Sequence, residues 1–341
     1  MALASTTADS GAGAALPHGG RIEQARRQFP DAPEPFIDLS TGINPVPYPL
    51  PALPAEAFTR LPEPETLSAL QSVAARAYGV ADPAMVAAAP GTQILIDLLP
   101  RLWPMPDVAV LGPTYAEHAA AWSRGGAAVT EIESLQSLGE SRCVVLCNPN
   151  NPDGRRWKPA TLLALADNLA SRSGLLIVDE AFGDLEPDGH SLAPALPHRS
   201  IVILRSFGKT YGLAGLRLGF ALAAPDFAAK IRSALGPWAV SGPALAIGTQ
   251  ALVDHRWLQA TRHRLEADCA RLDAILNAAS LSVIGGTPLF RLAESPTAAA
   301  VFEKLGQAGI LVRCFDAHPV WLRFGLPGTE PEWDRLREAL R

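Results

Sequence analysis

The chain has 341 residues, of which 48% are hydrophobic and 18% charged, with a formal net charge of -5. That length supports about two domains with a sizeable core, and the composition excludes a disordered chain. The net negative charge excludes a global basic field for nucleic acid or an anionic membrane, while local arginine clusters can still hold a small anion.

Residues 1–16 are small and polar-to-neutral and read as a flexible tail. No basic n-region followed by an apolar h-region is present, so no secretory leader is expected, and no apolar run is long enough to span a bilayer. The four cysteines, Cys143, Cys147, Cys269 and Cys314, match neither a zinc nor a CxxC spacing. Cys143 and Cys147 sit in the run CVVLC and read as buried free thiols. A cytoplasmic protein without a metal is expected.

The stretch 41–65 is rich in proline and reads as an extended crossing segment or a plain linker. TLSALQSVAARAYG has helical periodicity and stops at Gly79, and GTQILIDLLPRLW opens a second helix after a glycine. Short apolar runs then recur: DVAVLGP, RCVVLCNP, GLLIVDEAF, SIVILRSF and LRLGFALA. Each is bounded by Gly, Pro, Asn or a charge, as buried strands of a mostly parallel sheet are. Helical stretches such as PATLLALADNLASRSG separate several of them, which makes an α/β pattern with helices on both sheet faces. After about residue 236 a long amphipathic helix (HRWLQATRHRLEADCARLDAILNAA) leads to weaker strands, SVIGGTPLFRLA, ILVRCF and WLRFGLP. That part reads as a smaller α+β domain.

Chemistry-bearing motifs stand at the ends of the predicted strands, where open α/β sheets bind ligands. Ala89-Pro90-Gly91-Thr92-Gln93 opens a helix, and its free N–H groups suit an anion, although an ordinary helix start explains it too. Asn148-Pro149-Asn150-Asn151-Pro152-Asp153-Gly154 follows a strand and is a turn at the least. Asp179, in Asp179-Glu180-Ala181-Phe182, is a carboxylate at the end of a buried strand and needs a partner. A pyridinium N–H, a helix N-cap or a metal would serve. In Ser206-Phe207-Gly208-Lys209, an apolar and glycine-rich setting lowers the amine pKa of Lys209 and favours the neutral nucleophile over a solvated surface charge. Ser206 and Arg217 offer a hydroxyl and a guanidinium to a phosphate. Arg323, flanked by apolar residues in Trp321-Leu322-Arg323-Phe324-Gly325, takes an anion such as a substrate carboxylate if buried, and is otherwise a half-exposed edge arginine.

Taken together, these motifs resemble the fold-type I pyridoxal 5′-phosphate enzymes, in the branch that contains histidinol-phosphate aminotransferase, from about residue 17 to 330. The resemblance implies a large domain over 41–235 with a mostly parallel seven-stranded sheet between helices. It also implies an N-terminal arm over 1–40 contributing to a small domain over 236–341. Lys209 corresponds to the Schiff-base lysine, Asp179 to the pyridinium partner and Asn151 to the asparagine on the ring O3′. Gly91, Thr92, Ser206 and Arg217 fall on the phosphate cup, Tyr115 on the stacking aromatic and Arg323 on the carboxylate-binding arginine. A homodimer is implied by the resemblance alone.

The chain departs from the aminotransferase pattern in several places. Phe182 replaces a tyrosine, Gly208 a small hydroxyl residue and Asp153 a threonine. Leu61 stands before Pro62-Glu63 where relatives carry a tyrosine that reaches the partner's cofactor. His18-Gly19-Gly20, Asp38-Leu39-Ser40-Thr41-Gly42-Ile43-Asn44-Pro45 and Trp321 through Gly328 look like the threonine-phosphate decarboxylases of cobalamin biosynthesis. That likeness implies decarboxylation of L-threonine O-3-phosphate to (R)-1-aminopropan-2-yl phosphate. Arg323 would take the carboxylate, with Gly42 beside the substrate and His18, Asn44 and Arg313 as candidates for its phosphate; His18 on a loose arm and Arg313 as a structural residue remain the bland alternatives. The competing readings are an aminotransferase acting on histidinol phosphate or a similar phosphorylated amine, and a non-catalytic cofactor-binding regulator. The intact Lys209 speaks against the latter.

Overall fold

The computed structural model describes residues 18–187 and 189–341, so the expected tail over 1–16 lies outside the described residues. A seven-stranded sheet forms the centre. Its spatial order is Val86–Ala89, Gly219–Ala223, Ile201–Ser206, Leu175–Asp179, Cys143–Cys147, Asp107–Leu111 and Ala128–Ile132. Gly219–Ala223 runs antiparallel to both neighbours, and every other pairing between adjacent strands is parallel.

The runs Cys143–Cys147, Leu175–Asp179 and Ile201–Ser206 are buried at every residue, because helices cover both faces of the sheet. Their side chains alternate between two cores: Val144 and Leu146 face one, Cys143 and Val145 the other. The two strands without a sequence signal are both edges. Val86–Ala89 is three-quarters alanine, and the side chains of Ala128–Ile132 are largely exposed. Neither carries the apolar run that marks a central strand.

Local chemistry sets the helix limits. Pro64 opens the helix Pro64–Tyr78, and Gly79 ends it at φ 73, a left-handed conformation that glycine adopts without strain. Thr329 and Glu332 form a capping box on the last helix, Glu330–Ala339.

The second core is built on an antiparallel sheet ordered Arg313–Cys314, Trp321–Gly325, Phe290–Glu294, Ser282–Thr287. The helix His255–Ala278 packs on it through Leu265, Cys269, Leu272 and Leu276. Ile37 and Leu39 join this core, and Ile37–Asp38 pairs in parallel with Ile310–Leu311. The N-terminal segment thus packs with the C-terminal part of the chain.

The break in packing lies later than the change of texture near residue 236. Gly242–Leu252 sends Ala244, Leu245, Ile247, Ala251 and Leu252 into the large core, and the small core takes over from the helix His255–Ala278. Gly236-Pro237 and Gly242-Pro243 punctuate the sequence like a boundary, but the apolar helix after them is buried by the large sheet layer. Among the described residues, no helix is long and apolar enough to cross a membrane.

Candidate active site

A cavity of about 240 Å³ opens over the carboxyl ends of the central strands. Lys209, Asp179, Asn151, Gly91, Thr92, Tyr115, Ser206, Arg217, His18, Gly42 and Arg323 all line it. Asn44 and Arg313 do not.

The floor comes from two adjacent strands. Cys147 and Asp179 are register partners at the carboxyl ends of Cys143–Cys147 and Leu175–Asp179, so both side chains reach the same level. Asp179 is 5% exposed; its Oδ1 accepts from the Ala181 N–H at 2.9 Å and its Oδ2 lies 2.9 Å from Nε2 of His118. Burial works against a charge on His118, but Cys147 and Asp179 outweigh it and raise its pKa.

Ile201–Ser206 ends in a short helical turn, Phe207–Thr210, that carries Lys209. Enclosure by protein pushes the Lys209 ammonium down to about 8; Arg323 and Arg217 add to the shift and Asp179 opposes it. Gly208 is required by packing, since a Cβ there would lie 2.8 Å from Cα of Ala214. That contact explains why no hydroxyl residue stands before the lysine.

One end of the cavity is a cradle of backbone and guanidinium suited to an anion. Gly91, at φ 87, precedes the helix Thr92–Leu102, and a Cβ on it would lie 2.5 Å from Nη2 of Arg217. The free N–H groups at that helix start, Ser206 and the Arg217 fork converge there.

The Asn-Pro-rich turn is interlocked. Thr114 Oγ1 donates to Asn150 Oδ1 at 2.7 Å, and Asn150 Nδ2 donates to Asp153 Oδ1 at 2.8 Å and to the Pro113 carbonyl at 2.9 Å. This holds Asn151 at the cavity wall, where its Oδ1 accepts from Nη1 of Arg323. Asp153, which also takes the Arg155 N–H, serves this turn.

Arg323 is 7% exposed and has no carboxylate ion-pair partner among the described residues. Its Nη2 donates to the Ser40 carbonyl at 2.7 Å, its guanidinium lies 5.0 Å from the Phe290 ring centroid, and its buried Nε has no hydrogen-bond partner. Burial, then repulsion from Arg313, lowers its pKa to about 10. A desolvated cation without a carboxylate ion pair among the described residues, facing the cavity, fits an anionic ligand group. Phe182 packs edge-on against Phe290 at 5.1 Å, and a Cβ on Gly42 would lie 2.9 Å from both rings, so that wall needs glycine.

The remaining candidates divide. His18 sits at the mouth with Nε2 3.1 Å from Glu117 Oε1. Arg313 is the register partner of Arg323 on the neighbouring strand and stacks over Phe315 rather than lining the cavity. Asn44 lies behind the cavity wall: its Nδ2 donates to the Thr210 carbonyl at 2.9 Å, and its Oδ1 accepts from Arg264 at 2.5 Å and from the Val46 N–H at 3.1 Å. Those bonds anchor the crossing segment beside Lys209 and hold the buried amide away from the cavity lining.

Sequence reasoning passed over His118, Cys147 and Gln93. His118 stands three residues after Tyr115, a one-turn spacing that could have placed it beside the site. Gln93 accepts from the Tyr115 hydroxyl at 3.2 Å and so steadies that ring. Behind the floor, Arg205 bonds Glu180 Oε2 at 2.6 Å and also Asp184, tying the strand bearing Ser206 to the residue after Asp179.

The cavity fits pyridoxal 5′-phosphate: a buried lysine amine, a carboxylate on the floor, an aromatic wall and a glycine–arginine cradle stand around one space. A family profile described as "Aminotransferase class I and II" matches residues 34–340. A threonine-phosphate decarboxylase of Sinorhizobium sp is 46% identical over 329 residues, covering 96% of this chain and 98% of the relative. One from Pseudomonas aeruginosa is 42% identical, covering 95% and 97%. The crystal structure of a histidinol-phosphate aminotransferase from Sinorhizobium meliloti superposes with a TM-score of 0.80 at 22% identity, over 94% of this chain and 93% of that one. The chain belongs to the aminotransferase class I and II family.

Proposed function

We propose that this protein uses pyridoxal 5′-phosphate to decarboxylate L-threonine O-3-phosphate, giving (R)-1-aminopropan-2-yl phosphate. The observation that carries the reading is Arg323, a buried guanidinium without a carboxylate partner, facing the same cavity as Lys209. It is supported by identities of 46% and 42% to threonine-phosphate decarboxylases along nearly the whole chain.

When bound, the cofactor supplies an electron sink for negative charge at the substrate Cα. The protein decides which bond gives up its electrons. Arg323 would clamp the substrate carboxylate and so set which bond to Cα faces the electron sink, favouring loss of CO₂ over loss of the proton. Asp179, fixed by its 2.9 Å contact with His118 Nε2, would pair with the N–H of the cofactor ring. Asn151, on the cavity wall, would meet the ring hydroxyl, and the Gly91–Arg217 cradle would take the cofactor phosphate. Lys209 supplies the amine that carries the cofactor and afterwards gives a proton to Cα, replacing the carboxylate that left. His18, lining the mouth of the cavity, is the candidate contact for the substrate phosphate.

We further infer a homodimer in the cytoplasm. Phe58, Leu61 and Trp238 are large exposed apolar side chains at 68%, 63% and 58%, and all described cysteines are free thiols. Light scattering of purified protein tests the dimer.

The decisive test of function incubates the cofactor-loaded protein with L-threonine O-3-phosphate. Release of CO₂ matched by the aminopropyl phosphate is expected. Glutamate formed from 2-oxoglutarate and a phosphorylated amine donor, without CO₂, would overturn the assignment in favour of an aminotransferase.

A further inference from the structure

The cofactor floor holds a donor set that the proposed reaction does not use as such. His118 Nε2, Cys147 Sγ and an Asp179 carboxylate oxygen all lie within 4.8 Å of one another, and all three residues are buried. The set is rigidly supported. Cys147 and Asp179 are opposed on neighbouring parallel strands, His118 comes from the helix Glu117–Arg124, and Thr114 Oγ1 lies 3.2 Å from Cys147 Sγ.

We propose that these three side chains form a soft divalent-metal site in the cofactor-free protein, taking zinc or an ion of its class, and that metal and cofactor exclude one another. One thiolate, one imidazole and one carboxylate are a donor combination zinc accepts, and three protein ligands leave the fourth tetrahedral position open. Cys147 and Asp179 line the cavity, so that position faces solvent-accessible space and the ion has an entry path. Tetrahedral bonds of zinc length put donors roughly 3.4–3.8 Å apart, so closing the set takes side-chain shifts of about an ångström. Binding displaces the Cys147 thiol proton and the His118 Nε2 proton to solvent, and no electron is transferred. Exclusion follows from Asp179. Asp179 Oδ1 already takes the Ala181 N–H, so the ion and the protonated ring nitrogen would compete for Oδ2 and for the same negative charge. Only the exclusion rests on the proposed function; metal binding by the cofactor-free chain does not.

Zinc titration of the full-length, cofactor-free protein should show one ion per chain. Substituting cobalt(II) should give the near-ultraviolet thiolate-to-metal band, a direct report of Cys147 in the unmutated protein. Cys147→Ser should abolish that band and weaken zinc by more than about tenfold, the scale reached by losing even an outer-sphere partner, while Cys314→Ser keeps both. Loading with pyridoxal 5′-phosphate should prevent uptake. A cobalt spectrum without the thiolate band, zinc binding untouched by Cys147→Ser, or zinc and cofactor bound together would each overturn the proposal. A chain that takes zinc with the thiolate band but never takes the cofactor would uphold the metal site and sink the functional reading instead.

Discussion

Arg323 donates a hydrogen bond from Nη1 to Oδ1 of Asn151, linking a strand of the small antiparallel sheet to a turn of the large one, 172 residues earlier in the chain. The contact places the group proposed to hold a substrate carboxylate against the group proposed to touch the cofactor ring. It makes the orientation of the scissile bond depend on how the two sheets meet.

Replacing Arg323 by Met should therefore act mainly on substrate. A charge-assisted hydrogen bond is worth about 1.5–3 kcal/mol, or roughly 10- to 150-fold. KM for L-threonine O-3-phosphate should rise by that factor, with cofactor affinity changing less. Steady-state kinetics beside a cofactor titration separates the two. Equal losses in both would show that Arg323 serves the fold rather than the substrate.

Lys209 has a pKa near 8, lowered by enclosure and by Arg323, so between pH 8 and the ordinary lysine value the unfolded chain binds more protons than the folded one. The cofactor-free wild type should gain stability relative to Lys209→Met as pH rises through that window. Urea unfolding of both proteins at pH 7 and pH 9.5 measures the unfolding free energy of the wild type minus that of the variant, and a difference that falls or stays flat as pH rises contradicts the placement. The same variant should lose at least about 10²–10⁴-fold in CO₂ release, the usual weight of a positioned proton donor.

Asp179→Asn removes both the partner of the ring nitrogen and one source of the upward shift on His118. Turnover should fall on the order of 10²–10³-fold, the scale of losing a preorganised electrostatic contact. The His118 ring, protonated at neutral pH in the wild type, should titrate lower in the variant. Nitrogen NMR of the histidine side chains checks this. An unmoved titration would mean that Asp179 does not govern His118.

Gly91→Ala tests the phosphate cradle. Alanine at φ 87 and ψ 163 enters a region nearly reserved for glycine, at a cost of about 1–3 kcal/mol, and its methyl would displace the Arg217 fork. The expected result is a lower melting temperature and weaker cofactor binding, with KM for the substrate unchanged once the protein is saturated with cofactor.

Glu180→Gln tests the buried ion network behind the floor. Arg205 would keep Asp184, so the loss should stay below the about 3–5 kcal/mol of a fully unpaired buried ion, yet remain clear in denaturant unfolding. No change in stability would mean that the network does not hold the strand ends together.

The sequence by itself determined the large sheet and the cofactor set. Strands buried on both faces must be continuous apolar runs, and these cavity-lining residues end or follow such runs, so Asn151, Asp179, Ser206 and Lys209 could be read in chain order. The edge strands Val86–Ala89 and Ala128–Ile132 were not legible, because an alanine-rich or exposed edge carries no such run. Tertiary structure decided everything that depends on partners far along the chain. Asn44 spends its amide on Thr210 and Arg264, and His118 lies under Asp179. The helix Gly242–Leu252 joins the large core, and Arg323 is buried with no carboxylate beside it. Whether a polar group is spent or available is a property of its burial and neighbours, and those are set only when segments one or two hundred residues apart meet.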